Sequence, residues 1–149
     1  MPEIKKILCA VDFAEYSPQI AAYAQTLGKA FGAEIMVIYV APTLAHYIGF
    51  QVAPSSIENF VGEIISGAEE TMDTFLKENF SEVQVNGKVL TGYAAEEILD
   101  YADAQAMDLI VMGTHGRKGI DRILFGSVAE KVVKGAKMPV LTLRPKNVD

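Results

Sequence analysis

Short apolar runs alternate along this chain with longer stretches in which apolar residues recur every three or four positions. Residues 5–13, KKILCAVDF, form a continuous apolar run bounded by charges, which is typical of a strand buried on both faces. Similar runs at residues 34–42, 108–113 and 139–145 predict three further buried strands. The intervening stretches have the length and periodicity of helices.

The first helical stretch has clear start and stop signals. Ser17 is in the position of an N-cap, and Pro18 fits the first helical position. Gly32 suits the position after the helix, where a left-handed conformation is common. An apolar face is predicted from residues spaced four, three and four apart: Ile20, Ala24, Leu27 and Phe31.

Three more helices follow. A long helix is predicted from residue 56 onwards, and shorter helices are predicted at residues 94–105 and 127–135. The long helix has apolar residues at helical spacing: Ile57, Val61, Ile64, Ala68, Met72 and Phe75.

Residues 81–92 fit a fifth strand, although Asn86 and Gly87 within them are also a hairpin signal. Five strands that alternate with four helices predict a three-layer, open, doubly wound α/β fold around a parallel sheet. We expect the strand order 3-2-1-4-5 and a single domain over residues 1–149.

The segment at residues 43–54 does not fit this alternation of strands and helices with short connections. It is longer than the usual connection between a strand and a helix, and it combines Gly49 and Pro54 with apolar residues such as Tyr47. Such a loop can be a lid or a contact surface, or it can be a packed surface loop. The sequence leaves both interpretations open.

The charge and the cysteine count narrow the class of protein. A net charge of −6 argues against a nucleic-acid-binding protein, because that function usually needs a basic face. No run approaches the ~18 apolar residues of a transmembrane helix, and the first apolar run is too short for a signal peptide. We therefore expect a cytoplasmic protein.

The single cysteine, Cys9, lies in an apolar run and is expected in the core.

Two residues with functional potential stand at the ends of predicted strands. In an open α/β sheet, ligands bind beyond the carboxyl ends of the strands, where the strand order reverses. Asp12 follows the first strand, and Gly113 ends the fourth. Because these two strands are neighbours in the expected order, the acid and the loop after Gly113 would face each other across one crevice.

The loop after the fourth strand is rich in glycine. Glycines occur at positions 113, 116, 119 and 126, and Ser127 follows at the start of a predicted helix. The spacing matches neither a Walker A motif nor G-x-G-x-x-G. Glycines nevertheless let backbone amides approach an anion closely, and the first amides of a helix have no intrahelical partner. These residues support a phosphate site, and a purely structural turn is the alternative.

The spacing Gly113-x-x-Gly116, nine residues, Gly126-Ser127 resembles the nucleotide-loop signature of universal stress proteins, which is G-x-x-G, nine residues, G-[S/T]. KKILCAVDF resembles the first strand of that family, and residues 108–145 resemble its C-terminal third. The resemblance covers nearly the whole chain. It implies a Rossmann-like fold of the adenine nucleotide alpha-hydrolase type and membership of the ATP-binding branch, which keeps the complete signature.

The resemblance also implies a role for individual positions. Asp12 would hydrogen-bond the ribose of ATP, and Val40 would offer its backbone to adenine. Met112 and Val128 would line the pocket, and Mg²⁺ or Mn²⁺ would bridge the phosphates. Arg117 is expected to steer or clamp the phosphates. The phosphates themselves would be held by four positions of the signature: Gly113, Gly116, Gly126 and Ser127.

The chain departs from the family pattern directly after the strand-one acid. Family members often have a small residue and a serine there, whereas this chain has Phe13 and Ala14. Phe13 is expected to pack in the core, and stacking on the base is the alternative. The departure concerns the choice of ligand rather than the fold.

Nucleotide binding without fast turnover is favoured over catalysis. His115 lies in the glycine-rich loop, but the sequence shows no base partner for it, so a solvated loop histidine is the simpler interpretation. His46 and Cys9 give no zinc pattern. We assign no catalytic and no metal-ligating residue, and slow ATP hydrolysis or an enzyme acting on a nucleotide-linked substrate are the alternatives.

A protein-interaction module is a further alternative. The predicted last strand, Val140–Leu143, would lie at the edge of the sheet, and exposed edges favour pairing with another chain. The resemblance implies that this strand pairs with its twofold mate in a homodimer.

Overall fold

The computed structural model describes residues 1–41, 54–115 and 126–145, with the backbone alone at residues 54–58 and 61. Within these residues, strands and helices alternate strictly in the predicted order. The elements are β1 (Lys6–Ala10), α1 (Ser17–Phe31), β2 (Glu34–Ala41), α2 (Pro54–Asn79), β3 (Val85–Thr91), α3 (Ala94–Ala104), β4 (Leu109–Gly113), α4 (Ser127–Gly135) and β5 (Val140–Leu143).

The strands form one parallel sheet in the order β3-β2-β1-β4-β5, which confirms the predicted order 3-2-1-4-5. β1 lies in the middle, where Ile7 pairs with Ile35 of β2 on one side and with Leu109 of β4 on the other. The strand order reverses between β1 and β4. The carboxyl ends of these two strands are therefore the expected ligand position.

Helices cover both faces of the sheet and make the predicted three layers. On one face, buried residues of α1 and α2, such as Ile20 and Phe75, pack with Cys9 and Val37 of the sheet. On the opposite face, buried residues of α3 and α4 pack with alternate sheet positions: Ile98, Ala102, Ala129 and Val132 pack with Leu8, Ile38 and Ile110. Because both faces of the central strands are buried, those strands are continuously apolar in sequence.

Cys9 lies in the core, as predicted, and is fully buried in β1. Burial raises the pKa of the Cys9 thiol to about 12, because a thiolate would lose its hydration in this apolar surrounding. The residue is therefore a protonated packing group at physiological pH, not a reactive thiol.

The start of α1 differs from the prediction. Tyr16 is the N-cap, and Ser17 is already helical and almost completely buried. Ser17 lies inside the helix rather than before it, and its hydroxyl donates to the carboxylate of Asp12. The end of α1 agrees with the prediction, because Gly32 is left-handed with φ 63°. The prediction that Phe31 belongs to the packed apolar face is wrong, because Phe31 is 49% exposed and the buried Ala33 contributes to the core just beyond it.

The hairpin signal in β3 does not produce a turn. Asn86 and Gly87 pair in register with Met36 and Val37 of β2, so the strand runs straight through them. A Cβ atom at Gly87 would lie 2.5 Å from the Cγ of Met72 in α2. Glycine is needed here because the helix packs closely on the strand, and not because a turn requires it.

The long helix buries Ala68, Met72 and Phe75, as predicted from their spacing. Ile57 and Val61 belong to the part of α2 whose side chains lie outside the described residues, as do His46 and almost all of the 43–54 segment. Among the helices that the structure describes, none is long and apolar enough to cross a membrane.

Candidate functional site

A cavity of about 330 Å³ opens at the carboxyl ends of β1 and β4, where the strand order reverses. Its volume is at the lower end of the range for small-molecule sites. The cavity brings together most of the residues predicted from the sequence: Asp12, Val40, Met112, Gly113, Gly126, Ser127 and Val128. Gly116 and Arg117 lie outside the described residues.

The Asp12 carboxylate is held by two donors from its own loop. The amide of Ala14 donates to Asp12 Oδ1 over 3.0 Å, and the hydroxyl of Ser17 donates to the same oxygen over 3.3 Å. The amide contact is an Asx turn, in which a side chain bonds the backbone two residues further on. Both donors bind Oδ1, so Oδ2 is free to accept a hydrogen bond from a ligand in the cavity that Asp12 lines.

Phe13, between Asp12 and Ala14, has a left-handed backbone with φ 60°. Such a conformation costs a side chain of this size roughly 1–2 kcal/mol. Its ring packs at 4.7 Å from the Tyr39 ring and, edge-on, at 5.6 Å from the Phe75 ring. Each aromatic pair contributes about 0.5–1.5 kcal/mol, which offsets the backbone strain. Phe13 thus packs in the core, as expected.

The backbone of Val40 faces the cavity. The carbonyl of Ile38 accepts from Val11, which follows β1, whereas the carbonyl of Ala41 accepts from Gly92, which follows β3. Because alternate carbonyls along a strand point the same way, the Val40 carbonyl points to the β1 side, like that of Ile38. The chain turns away after Val11, so this carbonyl faces the space beyond the end of β1.

Gly113 and Gly126 are positions of close approach. A Cβ atom at Gly113 would lie 3.0 Å from Ile20 Cδ1 and 3.3 Å from the carbonyl oxygen of His115. A Cβ atom at Gly126 would lie 3.3 Å from the carbonyl oxygen of Thr114. Side chains at either position would therefore displace the walls of the cavity.

Thr114 joins the two ends of the glycine-rich loop. Its carbonyl accepts from the Gly126 amide over 2.6 Å, and its own amide donates to Leu143 of β5 over 2.8 Å. The hydroxyl of this buried threonine is hydrogen-bonded to His115 Nδ1 at 2.9 Å. The Gly126 amide is thus engaged within the protein, and this contact fixes the start of α4 against the end of β4.

The N-terminus of α4 opens into the same cavity. Gly126 is its N-cap and has no side chain that could bind the helix amides, and the first helical hydrogen bond runs from Glu130 to the Gly126 carbonyl. The amides of Ser127, Val128 and Ala129 therefore have no partner within the helix. Together with the positive end of the helix dipole, these three amides suit an anion.

The sequence did not reveal the apolar wall of the cavity. That wall includes side chains from β1, β2, α3 and α4, among them Ala10, Ile38, Ala94, Ile98 and Ala129. These residues look like ordinary core positions, and most of them are buried. Ala94 and Ile98 reach the crevice because α3 packs against β2 and α4, and no local pattern in the sequence marks them.

His115 lines the cavity, and its Nδ1 is hydrogen-bonded to the Thr114 hydroxyl. Within residues 1–41, 54–115 and 126–145, His, Cys, Asp and Glu side chains form no cluster of three that could hold a metal ion. From its described residues, the cavity offers the Asp12 carboxylate, the strand backbone at Val40 and a helix N-terminus around an apolar wall.

An open parallel sheet with a ligand-sized cavity at its switch point defines a Rossmann-like class of α/β protein. The model of the universal stress protein family matches residues 3–144, and the chain belongs to this family. The universal stress protein MJ0531 of Methanocaldococcus jannaschii is 36% identical over 94% of this chain and 82% of its own length.

Solved structures show the same fold. The protein MJ0577 of M. jannaschii superposes with a TM-score of 0.81 at 28% identity, over 99% of this chain and 100% of its own. A universal stress protein in complex with cAMP has a TM-score of 0.70 at 16% identity, over 97% and 100% of the two chains. The Archaeoglobus fulgidus protein in complex with dAMP has a TM-score of 0.65 at 20% identity, over 95% and 98%.

Proposed function

We propose that this protein binds an adenine nucleotide, ATP in the first place, and acts as a regulatory protein of the stress response. The observation that carries the proposal is the pairing of Asp12 with the open N-terminus of α4 in one cavity. A carboxylate suits ribose hydroxyls, and helix amides suit phosphates. The nucleotides bound by two structural neighbours, cAMP and dAMP, support the same ligand class.

Each part of the cavity would bind one part of the nucleotide. Asp12 Oδ2 would accept from the ribose hydroxyls, and the Val40 backbone would bind the edge of adenine. The apolar wall, including Met112 and Val128, would enclose the base. The phosphates would accept hydrogen bonds from the backbone amides of Ser127, Val128 and Ala129.

The remaining members of the signature would complete the phosphate site. Gly113 and Gly126 would keep the approach open, and Gly116 and Arg117, outside the described residues, would add contacts from the loop. Mg²⁺ or Mn²⁺ would be held chiefly by the phosphates, as is usual for these cations with nucleotides. We assign the chain no catalytic residue, so slow hydrolysis would be a side activity of binding.

Calorimetry on the purified protein tests this function. We expect ATP with Mg²⁺ to bind at least about tenfold more tightly than GTP, because the Val40 backbone and a small apolar wall fit adenine. Asp12→Ala should weaken ATP binding by about tenfold or more, since it removes a charged acceptor. Asp73→Ala, on the exposed face of α2, is the matched control and should leave affinity unchanged.

Two further measurements make the test decisive. Mass spectrometry of small molecules released from the purified protein should detect an adenine nucleotide. Repeating the titration with EDTA should weaken ATP binding if a cation bridges the phosphates. Equal affinity for ATP and GTP, or binding of neither, would overturn the proposed function.

We also propose that β5 forms a homodimer by pairing with its twofold mate. Among the described strands, β5 pairs with β4 alone, and its four residues are only partly buried. The carbonyls of Pro139 and Leu143 accept from β4 and the residue after it. By strand alternation, the backbone groups of Val140 and Thr142 face away from β4 and are available to a second strand.

Sedimentation tests the dimer with a substitution aimed at the outer edge. Thr142→Pro removes an outward-facing amide while leaving the amides that face β4, so we expect the variant to be monomeric. Thr142→Val keeps the amide and should remain dimeric. A wild-type protein that sediments as a monomer at all concentrations would rule out the dimer.

A further inference from the structure

Phe13, directly after Asp12, has an unusual backbone conformation for a large side chain. It is a large side chain with φ 60°, a conformation that such residues adopt only when their surroundings impose it. It is not among the described residues that line the cavity at the end of β1, and its ring packs instead toward the core. Its immediate neighbours in the chain are the two partners of the Asx turn, Asp12 and Ala14.

The left-handed turn at Phe13 and the orientation of Asp12 depend on each other. The Ala14 amide reaches Asp12 Oδ1 at 3.0 Å because the chain reverses at the residue between them. A change of φ at Phe13 would move the Ala14 amide relative to that oxygen. The carboxylate would then depend more on the longer contact from Ser17.

The ring of Phe13 is what fixes the turn in place. It packs against Tyr39 of β2 at 4.7 Å and against Phe75 of α2 at 5.6 Å, and Phe75 in turn packs edge-on against Phe80 at 6.4 Å. These rings belong to the core between the sheet and the α1–α2 layer. The Phe13 ring thus anchors the turn to β2 and α2, while the Ser17 amide, which donates to the Ala14 carbonyl over 3.0 Å, ties the turn to α1.

We propose that Phe13 is a positioning residue for ribose recognition: its ring locks the strained turn, and the turn aims Asp12 Oδ2 into the cavity. This inference rests on the proposed nucleotide function, since it concerns how the same site recognises a sugar. It predicts an effect specific to the ribose hydroxyls, because Phe13 acts only through Asp12. A residue that merely stabilised the fold would weaken every ligand alike.

Comparison of ATP with 2′,3′-dideoxy-ATP isolates this effect, because the dideoxy compound lacks both ribose hydroxyls. By calorimetry, we expect the wild-type protein to prefer ATP by about tenfold or more, the usual range for hydrogen bonds to a charged group. Phe13→Ala should reduce this preference to about twofold or less, while the affinity for the dideoxy compound stays nearly constant. Phe13→Tyr keeps the ring and should retain the wild-type preference.

Two controls separate positioning from general destabilisation. Phe80→Ala removes a ring from the same aromatic cluster without touching the turn, and we expect it to keep the preference for ATP. In an Asp12→Ala background, adding Phe13→Ala should change ATP affinity by less than about twofold, since residues that act through one another are not additive. If Phe13→Ala does not fold, Phe13→Leu preserves apolar volume and should show a smaller loss of preference.

Hydrogen exchange of the Ala14 amide tests the same turn without any ligand. The amide should be protected in the wild-type protein and in Phe13→Tyr, and it should exchange faster in Phe13→Ala. An unchanged preference for ATP in Phe13→Ala, equal losses for both nucleotides, or an Ala14 amide that stays protected would each overturn the positioning role. A wild-type protein that binds no ATP would overturn the proposed function and this role together, whereas the other outcomes concern Phe13 alone.

Discussion

Gly113→Val should abolish ATP binding, with a loss of affinity of about hundredfold or more. The Cβ atom alone would lie 3.0 Å from Ile20 Cδ1 and 3.3 Å from the carbonyl oxygen of His115. The two further methyl groups of valine must either enter the cavity or displace its walls. A loss of this size corresponds to about 3 kcal/mol of binding free energy. Blocking the cavity is sufficient to cause it. Calorimetry with ATP and Mg²⁺ measures it directly.

The control for Gly113→Val is the same substitution at a glycine whose surroundings leave space for a side chain. A Cβ atom at Gly62, on α2, would have nothing within 4 Å, so Gly62→Val should bind ATP as the wild type does. Thermal unfolding distinguishes a blocked cavity from a damaged fold, because only the latter lowers the melting temperature strongly. Unchanged ATP affinity in a folded Gly113→Val variant would show that the ligand lies elsewhere.

Ser127→Glu should have opposite effects on stability and on ATP binding. Ser127 is exposed and stands in the first turn of α4. A carboxylate there interacts favourably with the helix dipole and should raise the free energy of unfolding by about 0.3–1 kcal/mol. The same carboxylate would lie where the phosphates are proposed to bind. Two negative charges about 4 Å apart repel by about 4 kcal/mol at a protein surface, so ATP affinity should fall by more than about hundredfold.

Adenosine and a neutral variant give the controls for this prediction. Adenosine has no phosphates, so its affinity should change little in Ser127→Glu. Ser127→Gln has nearly the same shape without the charge, and it should lose much less ATP affinity. Chemical denaturation and calorimetry on the three proteins provide both measurements. Equal weakening of ATP and adenosine would contradict a phosphate position at the α4 N-terminus.

The sequence predicted the elements well because their signals are local. A strand buried on both faces must be apolar at every position, as in KKILCAVDF, and a helix on one face must be apolar every three or four residues. These rules gave the five strands and the four helices, and the order 3-2-1-4-5 was expected from the doubly wound fold class that their alternation indicates. They also placed Asp12 and Gly113 at adjacent strand ends, and the structure brings both to one cavity.

The same reasoning from single elements failed where a residue contacts a partner outside its own element. Gly87 follows Asn86 and resembles a turn signal, but its actual constraint is Met72, on a helix packed above the strand. Ser17 resembles an N-cap, but its hydroxyl is engaged by Asp12. In both cases the role depends on a contact with a residue outside the element itself, which the pattern of that element does not reveal.

The sequence by itself therefore determined the alternation of strands and helices and the two strand ends, at Asp12 and Gly113, at which a ligand can bind, whereas the strand order was an expectation from the fold class that the structure confirmed. Only the tertiary structure decided that α3 forms an apolar wall of the cavity and that the Gly126 amide bonds to Thr114. It also decided that Phe13, directly after Asp12, adopts a strained left-handed conformation with its ring packed against Tyr39. Burial patterns repeat over a few residues and can be recognised along the chain. Contacts between elements far apart in sequence depend on how those elements pack, and they exist only once the sheet and its helices have assembled.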